Sequence, residues 1–182
     1  EAYEFLARLD GDHNAESAEA FGYACYQTGR FQEALAHLEG ALRLSSPGPQ
    51  RARIHQRLAL VHMVEMDTLR AWPSVCAGLQ ELGIRLGSAP AMLADLMRLS
   101  FSRLGPGRSS GSQVAVRLFE IGAQICFIGG QVPQLVEVVV RGLRLARRQG
   151  PSPSLAAFYS GAGILMGAVG LKGLAEHFCR QA

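Results

Sequence analysis

Four small residues, Gly22, Gly29, Ala34 and Ala41, recur along the chain at fixed offsets, and this recurrence limits the possible folds more than any other feature. A shift of 141 residues gives Gly163, Gly170, Ala175 and Ala182, all identical in type. A shift of 101 gives Ala123, Gly130, Leu135 and Gly142, and a shift of 37 gives Ala59, Met66, Ala71 and Gly78, with three of four still small in each. The larger residues follow. Cys25 maps onto Cys126 and Leu42 onto Leu143 at 101, while Leu58 falls under Phe21 and Val75 under Leu38 at 37. Two antiparallel helices approach closely where small residues face each other. Gly22 and Ala34 give that approach, Gly29 a tight turn, and Ala41 a docking surface for the next hairpin.

Apolar residues elsewhere keep the three- and four-residue steps of helices. Phe31, Ala34, Leu35, Leu38, Ala41 and Leu42 form one face; Met92, Leu93, Leu96, Met97 and Leu104 form another; Leu118, Phe119, Gly122, Ile125 and Cys126 form a third. The one β-branched run, Val136 to Val140, lies in a helix-length segment without turn residues. Gly- and Pro-rich breaks cut the chain into short helices, with Ser152 before Pro153 reading as an N-cap and Pro133 as a first-turn proline. Pro73 falls inside a helical segment and is expected to kink it or delay its start. The fold class expected is all-α: a right-handed superhelical stack of divergent helical hairpins, about nine helices in a single domain spanning 1–182. The hairpins fall at about 14–45, 49–86, 112–149 and 153–182. Successive steps of 37, 64 and 40 residues leave room for an extra helix at about 90–104 and a Gly/Ser-rich loop from Leu104 to Ser112. Residues 1–9 read as the closing helix of a preceding repeat, and both ends look cut from a longer chain.

The 182 residues are 48% hydrophobic and 18% charged, which excludes an intrinsically disordered chain. A net charge of +3 is too small to imply a nucleic-acid partner. All but one of the 18 basic residues are arginine, the exception being Lys172. Cys25, Cys76, Cys126 and Cys179 form no CxxC pair, sit in apolar stretches and read as buried thiols, fitting a reducing, cytoplasmic setting. The uncharged stretch from Gln149 to Leu171 contains Gly163 and Gly167 in GxxxG spacing. Its strongly apolar part, Leu155 to Leu171, is short and glycine-rich for a membrane span, so a fully buried central helix is the preferred reading.

The window from Ala20 to Leu42, with Gly22, Gly29, Phe31, Ala34, Leu38 and Ala41 at their places, closely resembles a tetratricopeptide repeat. Leu79–Leu86, Gly150–Ala156 and Val169–Ala175 resemble the helical-repeat region that follows the ATPase module of large signalling proteins. These include nucleotide cyclases, serine/threonine kinases and transcription regulators with AAA- or STAND-type ATPases. The first resemblance implies a stack of hairpins that binds a peptide, a partner domain or another part of the same chain in a concave groove. It also implies self-association through open ends. No Walker-type loop, cyclase metal site or kinase motif is present in the sequence, so the resemblance carries no enzymatic activity.

Chemistry-bearing patterns are sparse. His55, His62 and Glu65 have a spacing that brings three ligands near one helix face, but a polar face flanking Ile54, Leu58 and Val61 is the simpler reading. Arg51, Arg53 and Arg57 on one helix and Arg141, Arg144, Arg147 and Arg148 on another would make a basic stripe, or two solvated faces. No serine or cysteine has a recognisable base partner. The expectation is a non-enzymatic interaction scaffold with no cofactor, no metal, no nucleic-acid partner and no membrane span. Tyr23, Gln27, Arg57, His62 and Gln124 are the candidate partner-contacting residues. The alternative is a helical-repeat sensor of a small molecule that controls an attached output domain, which requires an enclosed pocket with a few convergent polar groups.

Overall fold

The computed structural model describes residues 14–87, 110–168 and 170–182. The segments read as helices at 1–9 and 90–104 lie outside the described residues, as does the Gly/Ser stretch through 109. All regular structure among the described residues is α-helical. There are eight such helices: α1 Ala15–Gln27, α2 Phe31–Leu44, α3 Pro49–Val64, α4 Thr68–Glu81, α5 Ser110–Ile128, α6 Val132–Gln149, α7 Pro153–Ala168 and α8 Lys172–Gln181. The chain divides into two compact units, one ending at Ile84 and the other beginning at Arg85. Among the described helices of each unit, every one packs on the next in sequence, and the first also touches the third.

The recurrent turn position has a backbone cause. Gly29, Met66, Gly130 and Gly170 all have positive φ, at 76°, 58°, 64° and 82°. Met66 is the one non-glycine residue among the described residues with this conformation. At all four turns the following N–H reaches back to a carbonyl five residues earlier at 2.9 Å: Arg30 to Cys25, Asp67 to His62, Gln131 to Cys126 and Leu171 to Met166. The turn residue itself bonds three residues back, as in Gly29 to Tyr26 and Met66 to Met63. This is the paired hydrogen-bond closure of a helix C-terminus through a left-handed residue. The carbonyl of that following residue then accepts the first bond of the next helix, from Ala34, Ala71, Leu135 and Ala175 at 2.9 to 3.0 Å. Among the described residues this one loop joins helices at these four turns, the same closure ends the helix before Gly83, and at Met66 the loop overrides the side chain's preference.

Helix starts follow the capping residues. The Asn14 side chain accepts from the Ser17 N–H at 2.7 Å, and Asp67 accepts from Arg70 at 3.0 Å. Ser152 accepts from Leu155 at 3.2 Å, with Pro153 opening α7 as expected. Pro73 does not delay α4, which begins at Thr68. Asp67 caps the first turn, and the proline deprives only the Leu69 carbonyl of its helical partner. The loop expected through Ser112 is helical from Ser110, where Gln149 donates to the Ser112 hydroxyl at 2.6 Å.

Small residues set the approach of paired helices. A Cβ on Gly22 would stand 2.7 Å from Leu38 Cγ and 3.1 Å from the Ala34 carbonyl. A Cβ on Gly163 would stand 2.6 Å from Cys179 Sγ and 3.4 Å from the Ala175 carbonyl, the same two positions of the last hairpin. Around the first contact, Cys25, Ala34, Leu38, Ala41, Ile54, Leu58 and Val61 form a continuous buried cluster. Cys25 and Cys126 are buried as expected; Cys76 is half-buried, and Cys179 is exposed on α8, which has no buried residue.

Candidate functional site

The turns place the two units in register. Gly29 and Gly130 differ by 101, and Met66 and Gly170 by 104. With these shifts α2 begins at the counterpart of the α6 start, and α3 matches α7 from Pro49 and Pro153 through to Val64 and Ala168. The same spatial relationship, first helix against third, can therefore be compared residue by residue.

In the first unit this space is filled. Glu19 on α1 is 1% exposed, and Arg53 on α3 grips its carboxylate with two hydrogen bonds, from Nε at 2.6 Å and Nη2 at 2.7 Å. Arg57 adds a contact from its Nε to Oε1 at 3.2 Å and donates through Nη1 to the Glu19 carbonyl at 2.9 Å. Its guanidinium carbon lies 4.4 Å from the centre of the Tyr23 ring. Tyr23 stacks on Tyr26, and Tyr26 tilts against Phe31. Hydrogen bonding to Glu19 raises the Arg53 pKa, while burial lowers that of Arg57. Burial also pushes the Cys25 thiol up, aided by Glu33 and partly offset by Arg30.

In the second unit the corresponding space is open. Glu120 stands for Glu19, Gln124 for Tyr23, Phe127 for Tyr26 and Val132 for Phe31, while Ala157 and Gly161 replace Arg53 and Arg57. Between α5, the start of α6, and α7 lies a cleft of about 620 Å³, with Ala157 and Gly161 on its lining. Its walls are mainly apolar, with Leu135, Val136, Val139, Phe158 and Leu165 among them. Three large residues on its lining are well exposed, Phe127 at 65%, Val132 at 57% and Ile164 at 59%. The polar lining comes from Glu120, Gln124 and Ser160. Glu120 Oε2 accepts from Arg117 Nη1 at 2.8 Å and from the Ser154 hydroxyl at 3.2 Å, and Oε1 has no protein partner among the described residues.

This cleft corrects the reading of α7 as fully buried. One side, through Leu155, Phe158, Tyr159, Ala162 and Gly163, enters the core, while Ile164, Gly167 and Ala168 are exposed. A helix apolar all round is normally enclosed; here part of its apolar surface forms the cleft wall.

Of the residues singled out from sequence, Tyr23 and Arg57 meet face to face in the first unit, and Gln27 lies exposed one turn beyond Tyr23 on α1. His62 is 9% exposed, and its Nδ1 has no partner among the described residues. Gln124 is exposed and lines the cleft of the second unit. His55, His62 and Glu65 do not converge; among the described residues no group of three or more such side chains could hold a metal ion, and Glu65 instead accepts from Gln32 at 2.9 Å. Much of the arginine stripe is turned inward. Arg51 pairs with Glu81 at 3.1 Å, Arg53 and Arg57 with Glu19, and Arg141 with Glu137 at 3.0 Å while also donating to the Arg85 carbonyl at 2.6 Å. Among the described residues no helix is long and apolar enough to cross a membrane.

Sequence reasoning missed Glu120, Ala157 and Gly161. Their signal was present in the shifts of 101 and 104, which set small residues against the two arginines.

No family model, curated protein or solved structure matches the chain.

Proposed function

We propose that this chain is a helical-repeat interaction scaffold, a stack of tetratricopeptide-like hairpins, that receives an apolar segment of a peptide or partner domain in the cleft between α5 and α7. The observation that carries this reading is the contrast between the two units: one loop and one helix register recur, and the first-to-third-helix space is closed by Arg53, Arg57 and Tyr23 in one and open in the other. Exposed Phe127, Val132 and Ile164 around one concavity are what a partner's side chains would cover. With the resemblance to repeat regions of multidomain signalling proteins, the proposal is that such a scaffold serves intramolecular regulation or partner docking, in a cytoplasmic setting and without catalysis.

The alternative, small-molecule sensing, draws on the cleft's size, which falls in the range of ligand sites, and on its three polar groups. The half-open lining with well-exposed large apolar residues favours a peptide over an enclosed metabolite.

Titration of the protein with a library of eight-residue peptides randomised among Ala, Leu, Phe, Ser and Arg, followed by methyl NMR, tests the reading. Shifts confined to the methyls of Val132, Leu135, Val136, Val139, Ile164 and Leu165, and abolished by Gly161→Arg, support it. Shifts scattered over both units, or none, overturn it. A thermal shift with a metabolite panel and none with the peptides would favour the sensor.

A further inference from the structure

The first unit shows what chemistry the open cleft lacks. At the position of Glu120, Glu19 is held by guanidinium groups that reach it from the third helix, beside an aromatic cluster. In the second unit the carboxylate is retained, the guanidiniums are gone, and apolar walls remain. Glu120 keeps one oxygen engaged by Arg117 and Ser154 and the other without a protein partner among the described residues. Arg117 is a neighbour on the same helix, three residues earlier and 56% exposed, so it is a weak and displaceable partner.

We infer that the cleft binds a peptide segment carrying an arginine next to an apolar anchor, with the guanidinium on Glu120 in the place that Arg53 and Arg57 take on Glu19. This rests on the reading of the cleft as a peptide site and names the occupant's charge. Arginine suits the role better than lysine, because a planar fork satisfies a carboxylate through two bonds, as Arg53 does on Glu19. The anchor fills the volume between Val139 and Ile164, and Gln124 lies at hand for its backbone amides.

Two libraries distinguish the outcomes: eight-residue peptides randomised among Ala, Leu, Phe and Ser around a fixed central arginine, and the same peptides with neutral citrulline in its place. Binding to the full chain is measured by fluorescence anisotropy. The expected result is at least tenfold weaker binding of the citrulline library, with the difference erased by Glu120→Gln. Ala157→Arg, which supplies a guanidinium from the chain itself, is expected to weaken the arginine library without changing the helical circular dichroism. Equal binding of both libraries to the wild-type protein overturns the guanidinium assignment and leaves the apolar cleft standing. Absence of binding by both overturns the cleft reading with it.

Discussion

The Arg57 guanidinium lies 4.4 Å from the centre of the Tyr23 ring, joining the third helix of the first unit to its first helix beside buried Glu19. Glu19 is the hub of this joint, since two arginines depend on one carboxylate. Glu19→Gln keeps the shape and removes the charge. Charge-assisted hydrogen bonds to a buried group are each worth about 1.5–3 kcal/mol. A urea titration of Glu19→Gln should show a loss of about 2 kcal/mol. Glu120→Gln, which breaks a partly exposed pair, should lose less than about 1 kcal/mol. Equal losses would contradict the asymmetry between the units.

Close approach at Gly22 makes a second prediction. A methyl group there meets Leu38 Cγ at 2.7 Å and cannot be absorbed without moving α2. Gly22→Ala should destabilise by about 1–3 kcal/mol. Gly40→Ala is the control: its Cβ meets only the end of the Arg43 side chain at 3.9 Å. It should be neutral or stabilising by up to about 1 kcal/mol, through helix propensity alone. Thermal unfolding of the two variants checks the pair.

Met66 is 69% exposed and holds φ at 58°, so its side chain gains little where the backbone is strained. Glycine occupies the other three copies of the turn. Met66→Gly should raise stability by roughly 0.5–1 kcal/mol, the relief of left-handed strain less the added freedom of the unfolded chain. A lower melting temperature would show that Met66 makes a stabilising contact that outweighs the strain.

Buried His55 links stability to pH. Desolvation, reinforced by the Arg51 charge and partly offset by Glu81, holds its pKa below the ordinary 6.5. Below pH 6.5 the unfolded chain therefore takes up a proton that the folded chain resists, and stability falls as acid is added until the folded pKa is passed. Between pH 7 and pH 5 the melting temperature should fall less in His55→Gln than in the wild type. Parallel curves would remove His55 from the account.

The turns and helix starts were legible in the sequence because each is local. Gly29, Gly130 and Gly170 mark the left-handed residue directly, and Ser152 with Pro153 marks a helix start. Even Met66, which breaks the glycine pattern, was placed at its turn by the shift of 37. The cleft was less legible because it depends on residues of two hairpins at once. Gln124 was singled out as an exposed residue of a first helix. The opening itself comes from Ala157 and Gly161, which read as ordinary close-packing residues until Arg53 and Arg57 are seen at the same places. The arginine faces show the same limit: helical spacing gives the face of Arg57 and Arg141 but not the carboxylates of Glu19 and Glu137 that receive them.

The most direct test of the central claim, that the second unit is open because two arginine positions have become small, is a fluorescence titration with the neutral apolar dye Nile red on the wild type and on Ala157→Arg/Gly161→Arg. A Cβ at Gly161 meets only Val139 Cγ2 at 3.8 Å, an ordinary van der Waals contact, and both positions line the cleft. The account predicts saturable dye binding to the wild type, and its loss in a variant that remains helical and melts no lower. Undiminished dye binding by the folded variant would contradict it.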